Sequence, residues 1–256
     1  MGHGMVIKRE RIDRLMVRKG VVDSREQAQS LIAQGVVRVG DRQILKSSTQ
    51  VPVNAALELG ENKIPYAGRG GLKLEAALKE FGIDPSNQVV MDVGCSTGGF
   101  TDCLLQKGAA KVFAIDVGYG QLDWHLRQDP RVVCMERTNI RYLDPRSLGA
   151  PVDWVTIDVS FISLKKVLPK TWEVLNPGGI VLALVKPQFE VGKGEIGRGG
   201  IVRERSRHEK VIQDIASFAQ SLGFIPLGHV ASPIPGKKGN VEYFLHLKKP
   251  SEDVIR

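Results

Sequence analysis

The stretch QVVMDVGCSTGGFTD, residues 88–102, decides how the chain is interpreted. A short apolar run suited to a buried strand leads into a turn that contains Gly94, Gly98 and Gly99, after which a helix is expected to begin. Such a turn presents bare backbone N–H groups and the positive end of a helix to a ligand. The stretch therefore predicts a nucleotide-binding loop at the carboxyl end of a β-strand.

The glycine spacing of this loop restricts the class of nucleotide. It is G-x-x-x-G-G, not the G-x-G-x-x-G of dinucleotide-binding folds, and the Lys-Ser/Thr pair of a P-loop NTPase is missing. Asp116 ends the next predicted strand, 22 residues after Gly94, where a carboxylate can accept hydrogen bonds from ribose hydroxyls. That role serves NAD and S-adenosylmethionine alike. The missing pyrophosphate spacing favours S-adenosylmethionine as the cofactor.

The candidate cofactor-binding residues extend from this loop to the ends of the two following strands. Asp92 is expected either to orient the loop or to contact the methionine amine, and Thr138 and Asn139 lie where an adenine-contacting segment is expected. The full set is Asp92, Gly94, Cys95, Ser96, Thr97, Gly98, Gly99, Phe100, Asp116, Thr138 and Asn139.

From residue 68 onward, short apolar strands alternate with helical stretches. Strands are predicted at 88–93, 111–117, 131–136, 153–159 and 180–186, and helices at 163–175 and 204–222. This alternation is typical of α/β domains in which helices cover both faces of a parallel sheet. Two final apolar segments follow each other without a helix, so they predict an antiparallel pair at the sheet edge.

The N-terminal segment predicts a smaller, basic unit. Two stretches with apolar residues at helical spacing, 12–16 and 28–32, precede two short strands joined at Gly40–Asp41. Ser24 and Gln27 have the spacing of a capping box. The first 60 residues hold ten basic and six acidic side chains, half of the net charge of +8. This bias favours a polyanionic partner.

The order of helix, cap, helix, glycine and hairpin resembles an S4 domain, a small α+β RNA-binding module. The residues that carry the resemblance are RIDRLMVRKGVVDSREQAQSLIAQGVVRVGDRQI, 11–44, within a domain expected at 6–60. The alternative is a generic αα-β module whose arginines serve solubility only. The candidate RNA-binding residues are Arg9, Arg11, Arg14, Arg18, Lys19, Arg25, Arg38 and Arg42.

Residues 61–67 are predicted to link this domain to a second one at 68–250. Pro65 restrains Ile64 to extended geometry, and Tyr66 is expected to pack between the domains. The basic, glycine-rich loop at 191–205 either orders over a substrate or remains a mobile solvated loop.

Four polar residues lie in four further motifs. They are Lys73 in GRGGLKLEAAL, Asp158 in VTIDVSF, Lys186 in LALVKPQFE and Glu242 in KKGNVEYF. Asp158 and Lys186 end predicted parallel strands beside the cofactor loop, and Glu242 opens the last strand. Joint placement at one sheet edge is typical of an active site.

These residues suit the deprotonation of a hydroxyl group. A lysine accepts a proton only in its neutral form, which burial and a neighbouring cation favour. Lys186 follows an apolar strand and is the predicted base, with Lys73 as the neighbouring cation. Asp158 and Glu242 are expected to orient Lys186 and to balance charge.

The motifs GRGGLKLEAAL, DVGCSTGGFTD, IDVSFISL, LVKPQFEVGKGE and KKGNVEYF are together similar to those of the TlyA family, over residues 6–248. These are hemolysin-named ribosomal RNA 2'-O-methyltransferases. The resemblance implies an α/β fold: a Rossmann-like, FtsJ-like S-adenosylmethionine-dependent methyltransferase domain after an α+β S4 domain. It implies cytidine ribose in ribosomal subunits, 30S, 50S or both, as the acceptor. The family's Lys-Asp-Lys-Glu tetrad falls on Lys73, Asp158, Lys186 and Glu242. Cys95 replaces a usual alanine, a change small enough to leave cofactor binding intact.

Other classes fit the sequence less well. The chain lacks the Asn/Asp-Pro-Pro-aromatic loop of base N-methyltransferases, and none of its three cysteines follows proline, as a C5-methyltransferase nucleophile usually does. The odd cysteine count favours a reducing cytoplasm, and the scattered histidines predict no metal site. No apolar run approaches the ~18–20 residues of a membrane span. A membrane-active hemolysin, a catalytically silent ribosome assembly factor and a methyltransferase of protein or small molecules remain as alternatives. Oligomeric state is left open.

Overall fold

The computed structural model describes residues 8–60, 64–192, 194, 196–197, 199–236 and 239–251. The predicted domain start at residue 6, linker residues 61–63, part of the 191–205 loop and the tail after residue 251 lie outside these ranges. The predicted linker limits therefore stay a prediction. Within the described ranges, no helix has both the length and the apolar character that a membrane span requires.

Residues 8–60, called the N-terminal module below, contain two helices and five short strands. The helices are α1, Ile12–Arg18, and α2, Arg25–Gln34. The strands are β1, Arg9–Arg11, β2, Val37–Val39, β3, Arg42–Gln43, β4, Gln50–Pro52, and β5, Leu57–Leu59. Strand β2 lies between β3 and β5, and β1 pairs with β4, all antiparallel. The predicted helices and the hairpin at Gly40–Asp41 are confirmed.

The predicted cap and apolar stripes explain this local structure. The Ser24 side chain accepts a hydrogen bond from the Gln27 backbone N–H at 3.1 Å, as a capping box requires. Ile12, Leu15 and Met16 are fully buried against α2 and the strands. The module thus has a small apolar core of its own.

Arg11 and Arg25, two of the predicted RNA-binding residues, are bound to a buried carboxylate. Asp13 is fully buried and accepts hydrogen bonds from Arg11 Nη2 at 2.8 Å and Arg25 Nη2 at 3.0 Å. Burial alone would raise the pKa of Asp13, but the two guanidinium groups and Gln29 hold it well below its usual range. The two arginines therefore stabilise the module itself.

Residues 64–251, called the sheet domain below, are built round seven strands in the order β11-β12-β10-β9-β6-β7-β8. The strands are β6, Val89–Val93, β7, Lys111–Ile115, β8, Val132–Met135, β9, Val152–Ile157, β10, Leu175–Val185, β11, Ile225–Ala231, and β12, Tyr243–Lys248. Strands β6 to β10 are parallel, and β12 and β11 add an antiparallel edge. The predicted α/β sheet and its antiparallel edge are confirmed.

Strand β10 starts earlier than the apolar run predicted. The sequence predicts a strand from residue 180, but Leu175 already pairs with Val152, and a register shift separates this pair from Ile180. The intervening Asn-Pro-Gly-Gly carries no apolar signal, so only the pairing with β9 reveals the extension.

Helices cover both faces of the sheet. They are α3, Gly70–Phe81, α4, Gly99–Gln106, α5, Trp124–Gln128, α6, Leu168–Val174, α7, Pro187–Glu190, and α8, Arg205–Ser221. One core includes Leu74 of α3 and Leu104 of α4, and the other includes Leu168 of α6 and Ile215 of α8. Tyr66 is buried in the first of these cores, so it belongs to the sheet domain although it also borders a cleft with the N-terminal module.

Replacing Asp13 with asparagine should destabilise the N-terminal module by about 1–3 kcal/mol at neutral pH, because two guanidinium groups lose their carboxylate. Since folding lowers the pKa of Asp13, its contribution is present above the unfolded value of ~3.9 and is lost as pH falls below it. The difference from wild type should therefore shrink at low pH. Hydrogen exchange of the α1 backbone amides, compared at neutral and low pH, measures this difference in stability. The exposed Asp23→Asn is the control, and an equal effect of both variants would contradict the assignment.

Candidate active site

Three parallel strands bring the candidate residues to one edge of the sheet. Asp116 follows β7, Asp158 follows β9 and Lys186 follows β10, each directly after the last strand residue. The cofactor loop follows β6, which lies between β7 and β9. The carboxyl ends of parallel strands are the usual place for a ligand in such sheets.

Two glycines give the cofactor loop its shape. Gly94 has φ +86°, and a Cβ atom there would lie 2.5 Å from the carbonyl oxygen of Asp158. Gly98 has φ +94° and precedes α4 as its N-cap. Any larger residue at 94 would push the loop away from the end of β9, so glycine is required by close approach as well as by conformation.

Asp92 lies beneath the loop. It is fully buried, and its carboxylate accepts hydrogen bonds from Thr101 Oγ1 at 2.7 Å and Thr156 Oγ1 at 3.1 Å. Burial raises the pKa of Asp92 to about 7. Of the two roles expected for this residue, the geometry favours orientation of the loop, since the side chain ties α4 to β9.

A cavity of about 440 Å³, the cofactor cavity, lies beside the loop. Its polar residues include Ser96, Asp116, Gln121, Thr138 and Asn139. Its apolar residues are Val93, Ile115, Val117, Ile140, Val159, Phe161, Ile162 and Val167. Apolar walls with a few convergent polar groups suit a nucleoside, whose base is flat and whose ribose carries hydroxyls.

Asp116 is held in place for such a ligand. Its Oδ2 accepts from the Ser96 backbone N–H at 2.9 Å, and its Oδ1 accepts from the Gly118 N–H at 2.7 Å. Each carboxylate oxygen can accept a further hydrogen bond. These residues therefore fit the ribose of S-adenosylmethionine.

Glu136, which the sequence did not single out, supports the segment next to Asp116. Its carboxylate accepts hydrogen bonds from the backbone N–H groups of Gly120 and Gln121 at 3.0 and 2.9 Å, and it pairs with Arg127. This network fixes Gln121 at the rim of the cofactor cavity. No local motif could have indicated it, because Glu136 acts on backbone groups 15 and 16 residues earlier.

A second cavity of about 400 Å³, the lysine cavity, contains all four candidate catalytic side chains. Lys73 Nζ lies 2.6 Å from Glu242 Oε2, and Lys186 Nζ lies 2.5 Å from Asp158 Oδ1. The side chains of Lys73, Lys186 and Glu242 are 12%, 10% and 3% exposed. Lys186 also donates a hydrogen bond to Ser160 Oγ at 3.0 Å.

The four side chains thus form two separate lysine–carboxylate pairs. The sequence predicts that both carboxylates orient Lys186, whereas Glu242 pairs with Lys73 and Asp158 pairs with Lys186. Lys186 Nζ and Asp158 Oδ1 form an ion pair. We therefore assign the orientation of Lys186 to Asp158 and Ser160.

The two cavities meet at residues that line both: Gly94, Ser96, Asp158 and Ser160. Of the predicted cofactor residues, Cys95, Thr97, Gly99 and Phe100 line the lysine cavity, whereas Asp92 and Gly98 line neither. A ligand in the cofactor cavity can therefore present a group to the four catalytic candidates without leaving the site.

Phe161 is a further site residue that the sequence did not indicate. It is 83% exposed, has φ +64° and packs against Phe189 with ring centroids 4.9 Å apart. A bulky residue in the left-handed region is strained, and such strain clusters at functional sites. The exposed ring borders the cofactor cavity and offers a flat surface to a substrate.

The predicted RNA-binding residues differ in their availability. Arg14 and Arg42 are exposed, whereas Arg18 pairs with Glu10. Backbone carbonyl groups accept hydrogen bonds from Arg9, Lys19 and Arg38.

Comparisons with known proteins match two families to separate parts of the chain. Profiles of the S4 domain and of the FtsJ-like methyltransferase family match residues 10–57 and 66–249. The 16S/23S rRNA (cytidine-2'-O)-methyltransferase TlyA of Mycobacterium tuberculosis is 46% identical over 249 residues, 97% of this chain and 93% of that protein. Hemolysin A of Brachyspira hyodysenteriae is 39% identical over 92% of this chain and 98% of its own.

A solved structure of a hemolysin-named protein from Streptococcus thermophilus is similar along nearly the whole chain. It superposes with a TM-score of 0.74 at 44% identity, and the match covers 97% of this chain and 92% of that one. The chain therefore belongs to the TlyA family, in which an S4 domain precedes an FtsJ-like methyltransferase domain.

Proposed function

We propose that the protein transfers a methyl group from S-adenosylmethionine to the ribose 2'-hydroxyl of a cytidine in ribosomal RNA, within a ribosomal subunit. The observation that carries the proposal is the junction of the cofactor cavity with the lysine cavity at Asp158 and Ser160. A nucleoside that donates a methyl group from the cofactor cavity can meet a hydroxyl group that lies in the lysine cavity beside two buried lysines. The similarity to the Mycobacterium tuberculosis relative, a 16S/23S rRNA (cytidine-2'-O)-methyltransferase by name, supports this choice of acceptor.

S-adenosylmethionine supplies an activated methyl group on a sulfonium centre when it is bound. Asp116 would accept hydrogen bonds from its ribose, Thr138 and Asn139 would border its base, and the loop after β6 would hold its remaining part. Asp92 supports that loop from below, through Thr101 and Thr156.

Lys186 is the proposed base. Its neutral amine would take the proton of the 2'-hydroxyl, the oxygen would bond to the methyl carbon, and the carbon–sulfur bond would break to leave a thioether. Asp158 would stabilise the ammonium that forms on Lys186, and Ser160 would keep the amine in place. Lys73, held by Glu242, adds positive charge near the developing alkoxide.

RNA binding would come from both parts of the chain. Exposed arginines of the N-terminal module would contact phosphates, which gives affinity without sequence preference. The exposed Phe161 ring would stack on an unpaired base, the common way in which proteins hold single-stranded RNA. Ribosomal subunits offer such bases on a folded phosphate surface.

Replacing Lys186 with methionine should lower methyl transfer to ribosomal subunits by about 10²–10⁴-fold, because the general base is lost while the side-chain length is kept. Transfer of labelled methyl to isolated 30S and 50S subunits, with products mapped for 2'-O-methylribose, measures the effect. Lys210→Met, exposed on α8, is the control. Unchanged transfer by the Lys186 variant would refute the assignment. No transfer by wild type to either subunit would favour the assembly-factor alternative.

Replacing Asp116 with asparagine should weaken binding of S-adenosylmethionine by about 10- to 100-fold, because hydrogen bonds to a charged acceptor are removed. Isothermal titration calorimetry without RNA measures the dissociation constant, and thermal melting checks that the fold persists. Asp214→Asn, exposed on α8, should bind the cofactor like wild type. Equal affinity of wild type and the Asp116 variant would exclude Asp116 from the cofactor site.

Replacing Arg14 and Arg42 with alanine should reduce subunit affinity and lower the dependence of log K on log salt, by about one for each phosphate that is no longer neutralised. Both arginines are exposed on the N-terminal module. Filter binding to subunits at several salt concentrations measures the slope. Arg131→Ala, just before β8 and thus at the opposite edge of the sheet from β12, is the control. Equal slopes for wild type and the double variant would leave these two arginines outside the RNA interface.

A further inference from the structure

One buried side-chain oxygen in the lysine cavity has neither a hydrogen-bond donor nor an ion-pair partner among the described residues. It is Oε1 of Gln188, which is 9% exposed in the first turn of α7. The nearby Asp158 Oδ1 is paired with Lys186 Nζ at 2.5 Å. Among the described residues, the one other unpaired buried side-chain atom is His246 Nε2 on β12, whose ring packs against Phe81 instead.

An unpaired buried acceptor indicates a missing partner. Buried polar atoms are almost always paired with protein, water or ligand, because an unsatisfied one loses its hydrogen bond to water without a replacement. Gln188 lies two residues after Lys186 and lines the lysine cavity, as Phe189 and Pro235 also do. Its oxygen is therefore placed to receive a hydrogen-bond donor from a substrate in that cavity.

The chemistry of the acceptor limits what this donor can be. An internal cytidine in RNA has its 3' and 5' oxygens esterified, so its donors are the 2'-hydroxyl and the 4-amino group of the base. The 2'-hydroxyl gives its proton to Lys186 in the proposed reaction. The 4-amino group remains. We propose that Gln188 Oε1 accepts a hydrogen bond from this amino group and that Gln188 thereby determines the preference for cytidine.

The inference rests on the proposed function and extends it to base specificity. Uridine presents a carbonyl oxygen where cytidine presents the amino group, so with the Gln188 amide in its present orientation it would place two acceptors against each other. A flipped amide would instead donate its Nε2–H group to that carbonyl, so the discrimination requires the present orientation to be kept. A site built round a hydrogen bond rejects an analogue that cannot form it, because the buried group stays unpaired. Gln188 would discriminate between cytidine and uridine because its Oε1 stays unpaired when uridine is bound.

The test compares Gln188→Leu, which removes the acceptor, with Gln188→Glu, which keeps an acceptor oxygen. The substrates are ribosomal subunits that lack the modification, with cytidine or uridine at the nucleotide that wild type methylates. We expect Gln188→Leu to lose roughly tenfold in kcat/KM on the cytidine substrate and to lose most of its preference over uridine. Gln188→Glu should keep the preference. Gln213→Leu, exposed on α8, is the matched control.

Affinity for S-adenosylmethionine, measured without subunits, separates the remaining outcomes. Weaker cofactor binding by Gln188→Leu with an unchanged cytidine preference would place Gln188 in the cofactor site and overturn the inference. An equal loss of kcat/KM on both substrates would reduce Gln188 to a packing role and overturn it as well. If wild type transfers no methyl group to any subunit, the proposed function fails and the inference fails with it.

Discussion

The close approach of Gly94 to the end of β9 is the constraint on which the site depends. The Gly94 Cα lies so near the Asp158 carbonyl that no side chain can fit between them, and Asp158 donates its backbone N–H to the Val93 carbonyl at 2.9 Å. The cofactor loop and the strand end that carries Asp158 are therefore one rigid unit. Through that contact, the loop proposed to hold the methyl donor keeps a fixed position relative to Asp158, and such positioning lowers the barrier of a displacement reaction.

The four polar side chains form two separate lysine–carboxylate pairs, to which different roles can be assigned. Burying a lone ammonium or carboxylate is costly, so two lysines can lie at 12% and 10% exposure because each has its own carboxylate. Glu242 holds Lys73 across 169 residues of sequence and closes the end of the lysine cavity at which β12 begins. Asp158 belongs to the strand that contacts the cofactor loop. The charge-holding pair therefore joins α3 to the start of β12, whereas the proposed proton-accepting pair joins the ends of β9 and β10.

The sequence allowed the fold to be predicted well and the site only in part. Alternating apolar strands and helices placed Asp116, Asp158 and Lys186 at one sheet edge, because strand ends in a parallel sheet have a single possible location. The sequence could not show that Glu242 pairs with Lys73, because that contact requires β12 to run antiparallel to β10. The sequence did not indicate Phe161, because a φ of +64° is unusual for phenylalanine and the residue type gives no sign of it. The buried position of Asp13 was missed because it lies in the first turn of α1 between Arg11 and Arg14, a polar setting that indicates an exposed position.

The same limit explains why the basic residues of the N-terminal module are not equivalent. Charge counting assigns all eight to RNA, but Arg11 and Arg25 neutralise Asp13 inside the module. A guanidinium group bonded to a buried carboxylate keeps its charge, but the carboxylate offsets part of it and fewer N–H groups are free for a phosphate. Arg14 and Arg42 are exposed and form no such pair, so we expect them to carry more of the proposed contact with phosphates than Arg11 and Arg25. Phosphate contacts give affinity without sequence preference, so selection of one RNA region would have to come from elsewhere, such as an unpaired base held by the exposed Phe161 ring.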